Sequence, residues 1–213
     1  MNNKRATKRA LLTSVMALVM CVVMLVGTTF AWFTDTASTG VNKIQSGNLD
    51  VKLMYSTDMV NWKEATEQTK LFSDNALWEP GYTQVVYLKV VNAGNLALKY
   101  EAGFSKNYTS NRGKNVNGDW YRVDNYLKIG TAETTTKFEN REAVWSAIAA
   151  TEKTLAKDVM LTNDWVTLKA REESKPFAVA IYMPTSVGNE ANASRLKPSS
   201  VSGLGIEVRA TQA

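Results

Sequence analysis

The chain has 213 residues, no histidine, a single cysteine, and 25 basic against 20 acidic residues for a net charge of +5. Without histidine the usual zinc sites and the Ser–His and Cys–His nucleophile pairs are excluded. No P-loop and no Gly-x-Gly-x-x-Gly run enters a helix, so no nucleotide motif is present either.

From the N-terminus, residues 1–9 carry Lys4, Arg5, Lys8 and Arg9 and no acid, and residues 10–27 are free of charge. Thr29 and Ala31 then place small residues two apart. A basic n-region, an apolar h-region and a small-x-small site make a secretory signal peptide, with the cut expected between Ala31 and Trp32. The alternative is an uncleaved signal anchor, because the charge-free stretch continues to Thr34 and about 20 residues span a bilayer. Trp32 and Phe33 would then be interfacial aromatics. In both readings the basic end stays inside and the rest is exported, so contact with the membrane is expected during export.

Cleavage removes 31 of the 213 residues and leaves 182, with 21 basic against 20 acidic residues. The basicity therefore belongs to the targeting segment, and a nucleic-acid partner loses its main support. Cys21 leaves too, so no disulfide holds the exported chain, and 182 residues are enough to bury one sizeable core.

Residues 32–47 are polar and turn-prone, an extended segment before a single domain at 48–213. In "NLDVKLMYS", Leu49, Val51, Leu53 and Tyr55 alternate with Asp50, Lys52 and Met54, the pattern of a half-buried strand. Asp58 and Asn61 mark a turn or hairpin, and Pro80-Gly81 predicts a type II turn. "TQVVYLKVVN" (83–92) is dense in β-branched and aromatic residues and predicts a strand buried on both faces. A turn at Asn92–Asn95, with Gly94 at positive φ, leads into a strand at 96–104.

Residues 105–119 read as a long exposed loop, and 120–130 as a strand with a bulge. One helix is predicted over about 139–155, with Asn140 as N-cap and Val144, Trp145, Ile148 and Leu155 as its apolar stripe. Strands follow at 164–170, 176–184 and 204–212. Strands separated by turn signals, with one inserted helix after an N-terminal signal helix, predict an all-β jelly-roll or β-sandwich.

Candidate chemistry is sparse. Carboxylate pairs at Asp119/Asp124 and Glu172/Glu173 read as solvated acids near turns, and a calcium site from Asp58 and Asp74 fits no EF-hand spacing. No catalytic residue, metal or cofactor is assigned. Trp78, Trp145 and Trp165 sit in apolar patterns and are expected to pack in the core. Trp62 and Trp120, beside loops, are candidate exposed platforms for glycan binding. The sequons at Asn107 and Asn192 are short matches of little weight.

Four stretches in order, "GTTFAWFTDTAS", "IQSGNLDVKL", "EPGYTQVVYLKVVNAGNLALKY" and "GIEVRATQ", resemble the TasA/camelysin family of Gram-positive bacteria. The resemblance spans residues 26–213 apart from about 103–170. It implies a secreted jelly roll, cut by a dedicated signal peptidase of the SipW type, that builds fibres of the biofilm matrix. It places the cut between Ala31 and Trp32 and matches Trp32, Phe33 and Asp35 to the mature N-terminus, which in fibre-forming members inserts as a strand into the next subunit.

On that basis Trp32, Phe33, Val41 and Ile44 are the expected donor-strand anchors. The expected partners are the chain itself, the signal peptidase, and other matrix proteins or polysaccharide. Camelysins have also been described as metalloproteases, an activity for which this sequence offers no recognisable zinc site. The alternative function is an exported binding module that recognises glycan or a surface partner through residues 104–126 and does not polymerise.

Overall fold

A computed structural model describes residues 11, 13–21, 34–38, 41–42, 49–73, 76–104, 108–157, 159–194 and 197–213. The chain divides into two compact units, residues 1–34 and 35–213. In the first, residues 13–21 are helical and exposed, within the expected apolar h-region. Among the described residues no helix is long and apolar enough to cross a membrane.

In chain order the strands are β1 (Thr34–Ser38), β2 (Val41–Asn42), β3 (Val51–Ser56), β4 (Lys63–Glu64), β5 (Thr83–Asn92), β6 (Leu98–Phe104), β7 (Thr109–Ser110), β8 (Gly113–Lys114) and β9 (Trp120–Tyr121). They continue with β10 (Lys128–Glu133), β11 (Lys153–Thr154), β12 (Val166–Leu168), β13 (Phe177–Tyr182), β14 (Val201–Ser202) and β15 (Ile206–Gln212), with a helix at Arg141–Ile148. One sheet runs β12-β6-β15-β1-β2 and the other β11-β10-β13-β5-β3-β4. The fold is all-β and sandwich-like.

Alternation builds the inner faces. Leu98, Tyr100, Ala102 and Phe104 of β6 are buried beside Ile206, Val208 and Ala210 of β15, which pairs with it antiparallel along its whole length. In the other sheet Val86, Leu88 and Val90 of β5 are buried with Val179 and Ile181 of β13. The alternation predicted for β3 holds through Leu49, Val51 and Leu53 but fails at its end, where Tyr55 is half-buried and Ser56 is buried. Ser56 is drawn in because its Oγ accepts from the backbone N–H of Met59 (3.0 Å), closing the following turn.

Burial of β5 on both faces has a specific cause. Val144 and Ile148 of the helix cluster with Ala180 and Tyr182 on the opposite face of that sheet, against Val85, Ala132, Phe138 and Trp145. The two buried aliphatics contribute roughly 1.5–3 kcal/mol each. Gly130 lets the helix sit this close, since a Cβ there would lie 2.7 Å from the Ile148 Cβ. Asn140 caps the helix by accepting from the Ala143 N–H at 2.9 Å.

The helix ends at Ile148, seven residues before the predicted limit at 155. Ala, Glu and Lys in "AATEKTL" favour helix locally, but the sheet takes these residues instead. Thr151 Oγ donates to the Thr131 carbonyl (2.6 Å) and accepts from its N–H (2.8 Å), Ile129 and Lys128 pair with Lys153 and Thr154, and the Leu155 N–H donates to Leu127 O. Leu155 is buried from this strand-like stretch, not from a helical stripe.

Turn chemistry agrees at one site and departs at another. Gly81 has φ +88° and the Tyr82 N–H donates to Glu79 O at 2.9 Å, as Pro80-Gly81 predicts. Gly94 does not take positive φ. The turn is held by the buried Asn92 side chain, whose Oδ1 accepts from the Gly94 N–H (3.0 Å) while Nδ2 donates to Leu96 O (2.7 Å) and Lys169 O (2.9 Å).

Candidate interaction surfaces

Two regions bear on function. The first is the side of β15 along which β1 lies. β1 lies next to β15 in the five-stranded sheet and pairs antiparallel with β2, Ala37 opposite Asn42 and Ser38 opposite Val41. Of the expected anchors, Val41 falls in β2. Ala31, Trp32, Phe33 and Ile44 lie outside the described residues.

The second region is the stretch read from sequence as a long exposed loop, and here the structure corrects that reading. β7 pairs with β14, β8 pairs with β9, and Tyr108, Asn115 and Tyr121 are buried. The predicted bulged strand at 120–130 is instead β9, a 3-10 turn at Val123–Tyr126 and β10. Asn115 organises the β8–β9 hairpin, its Oδ1 accepting from the N–H groups of Asn117 (3.0 Å) and Asp119 (2.8 Å) and its Nδ2 donating to Glu190 O (3.3 Å).

Residues 192–194 and 197–200 are laid against this hairpin by main-chain bonds: Lys114 N–H to Lys197 O (2.8 Å), Ser194 N–H to Lys114 O (2.8 Å), Val116 N–H to Asn192 O (3.0 Å) and Asn111 N–H to Ser200 O (3.0 Å). Only glycine fits at 113, because a Cβ there would stand 2.2 Å from the Ser199 backbone nitrogen.

Trp120 projects from this scaffold, 51% exposed. It is the cross-strand partner of Lys114, so the two side chains share a face. Arg112 Cζ, Lys114 Nζ and Lys197 Nζ lie 5.4, 5.2 and 5.5 Å from its ring centroid.

The other tryptophans differ. Trp62 is half-buried, with Lys89 Nζ 5.0 Å from its ring centroid, and Lys89 also pairs with Glu173 at 2.6 Å. Trp145 packs as expected, stacking on Tyr182 at 5.2 Å with its Nε1 donating to Thr83 Oγ1 at 3.0 Å. Trp78 is half-buried, its ring edge-on to Tyr82 at 5.2 Å. Trp165, expected in the core, is 44% exposed beside the three-residue edge strand β12, at the rim of an open groove also lined by Tyr100, Glu133 and Phe177. Val166 and Leu168 after it in sequence give no sign that the strand is an edge.

Most of the candidate carboxylates have structural partners. Asp124 is buried, accepting from Ser110 Oγ at 2.6 Å and lying 3.5 Å from Arg122 Nε, whereas Asp119 is exposed. Glu172 accepts from the Lys169 N–H at 2.6 Å. Asp58 accepts from the N–H groups of Asn61 (2.8 Å) and Val60 (2.9 Å), and these bonds hold its carboxyl far below the usual carboxylate range. Asp74 lies outside the described residues, among which no cluster of three or more acidic, His or Cys side chains is arranged to hold a metal. Burial raises the Tyr182 phenol, helped by its hydrogen bond to Glu152.

In comparisons with known proteins, no family model, no curated protein and no solved structure matches the chain.

Proposed function

We propose that the chain is an exported, non-enzymatic jelly-roll subunit of an extracellular fibre, similar to the TasA/camelysin proteins, in which residues 32–47 of one copy complete a sheet of the next. The observation that supports this is the place of β1. The stretch just past the Ala31–Trp32 seam adopts a strand beside β15.

β15 is bonded to β6 along one edge through all seven of its residues, so β1 covers its other edge. Without β1 that edge would present a row of unpaired N–H and C=O groups. A segment able to pair with its own β15 can pair in the same way with a neighbour's, as in domain swapping. Backbone bonds then give affinity, and pockets for alternate side chains give specificity.

Trp32 and Phe33 lead the donor strand, and Val41 and Ile44 follow it. Each aromatic buried on the next subunit contributes roughly 1.5–3 kcal/mol. The contact is head-to-tail and does not close on itself, so it propagates as a filament. Export precedes assembly, a SipW-type peptidase exposes Trp32, and the fibre resides in the matrix or at the cell surface.

The test compares residues 32–213 with a version starting at Ser38, by electron microscopy and sedimentation. The longer chain is expected to form fibres and the shorter to remain monomeric. Equal polymerisation of the two would falsify the donor-strand reading.

A further inference from the structure

The Trp120 cluster plays no part in strand exchange, and its composition points to a ligand. Three cations gather around one exposed indole, which has only two faces. Among the described residues none of Arg112, Lys114 and Lys197 forms an ion pair, and the neighbouring acid, Asp119, pairs with none of them. Like charges held together without a carboxylate repel one another and concentrate positive potential over an apolar ring.

The convergence is built into the backbone. Lys114 and Trp120 face each other across β8 and β9, and Lys197 is fixed by its carbonyl bond to the Lys114 N–H at 2.8 Å. Asn115, 2% exposed, locks the hairpin, and Gly113 admits residues 197–199 to contact.

We propose that this face binds an acidic polysaccharide, one sugar ring lying on the Trp120 indole and its carboxylate held by Arg112, Lys114 and Lys197. An aromatic platform suits the C–H face of a pyranose, and the cations supply charge-assisted hydrogen bonds, bidentate in the case of Arg112. In the free protein the cations rest against the ring. The long lysine stems let them exchange that weak contact for the anion. A single-stranded nucleic acid carries the same charge, but it stacks successive bases on successive aromatics. Here Tyr121, the next residue, is 7% exposed, so it offers no second platform beside the indole.

The test uses the exported protein with polygalacturonate, dextran and oligothymidylate as probes, followed by indole fluorescence and calorimetry at two salt concentrations. Polygalacturonate is expected to bind, perturb the fluorescence and weaken as salt rises, while dextran does not bind. Affinity should fall about tenfold or more in Trp120→Ala and in the Lys114→Gln/Lys197→Gln pair. Trp120→Phe should keep most of it. Arg112→Gln, outside the β8–β9 pair, reads the same contact without touching the hairpin. Unchanged thermal unfolding shows that the variants are folded, and unchanged sedimentation separates this result from the fibre reading. Variants that bind like the parent, dextran that binds as well as polygalacturonate, or oligothymidylate that binds more tightly each overturn the proposal.

Discussion

Replacing Gly113 by alanine perturbs the close main-chain approach of residues 197–199 and so measures how the Trp120 platform is held. The new Cβ would lie 2.2 Å from Ser199 N, 2.6 Å from Lys197 O and 2.7 Å from the Pro198 carbonyl carbon. Comfortable contact between heavy atoms is about 3.5–4.0 Å, so residues 197–199 must retreat by roughly 1 Å or more. That retreat strains the bonds from Lys114 N–H to Lys197 O (2.8 Å) and from Val123 N–H to Ser199 Oγ (2.9 Å).

Overpacking costs about 1–3 kcal/mol and each weakened hydrogen bond about 0.5–1.5 kcal/mol. A total of roughly 2–6 kcal/mol corresponds to a fall in Tm of about 4–24 °C for a domain of this size. Gly118→Ala is the internal control: nothing lies within 4 Å of its new methyl, and only its φ of +90° counts against it. A left-handed alanine costs about 1–2 kcal/mol. In urea unfolding followed by tryptophan fluorescence, Gly113→Ala should therefore lose more stability than Gly118→Ala, and it should also weaken polygalacturonate binding. If Gly113→Ala melts within about 2 °C of the parent, the close packing inferred at this glycine is wrong.

Asn92→Ala should cost about 2–4 kcal/mol, since it leaves the Gly94 N–H and the Leu96 and Lys169 carbonyls without their buried partner. An unchanged urea midpoint refutes this, and Asn92→Asp should rescue little because a carboxylate cannot donate to those carbonyls. For Asp58 the folded carboxyl is held below its ordinary value by the Asn61 N–H above all, so its contribution is complete above the ordinary carboxylate range and disappears as pH falls toward the depressed value. The stability gap between the parent and Asp58→Asn should be constant near neutrality and close below about pH 4. A gap that widens on acidification contradicts the assignment.

The sequence was informative where a local rule and the tertiary demand agree. β5 and β13 are legible because β-branched and aromatic residues run without interruption, and Gly81 because Pro-Gly specifies one turn. Asn140 announces the helix, but its end is hidden. Nothing in "AATEKTL" says that Lys153 and Thr154 must pair with β10, a contact made across more than twenty residues. The 105–119 region misleads for a related reason. Its Asn, Gly and Ser content is that of a loop, yet Asn115 and Gly113 are chosen for a buried hydrogen-bond hub and a close backbone approach. Trp120 stands out in sequence beside a loop. Lys197, 77 positions away, could not have been placed at its ring without the fold.

Under the proposed exchange, the β1–β15 hydrogen bonds are the same in kind in a closed monomer and in a fibre, so they nearly cancel. What decides between the two states is whatever differs, and the candidates are the side chains ahead of β1. If Trp32 and Phe33 find pockets only on a neighbour, together they favour the open arrangement by roughly 3–6 kcal/mol. That lowers the concentration needed for assembly by about two to four orders of magnitude. The same arithmetic explains why the position of the cut would matter. A chain still carrying residues ahead of Trp32 must bring that apolar segment along with the aromatics, and can remain closed on its own β15. Cleavage at Ala31 would then release the two residues that tip the balance.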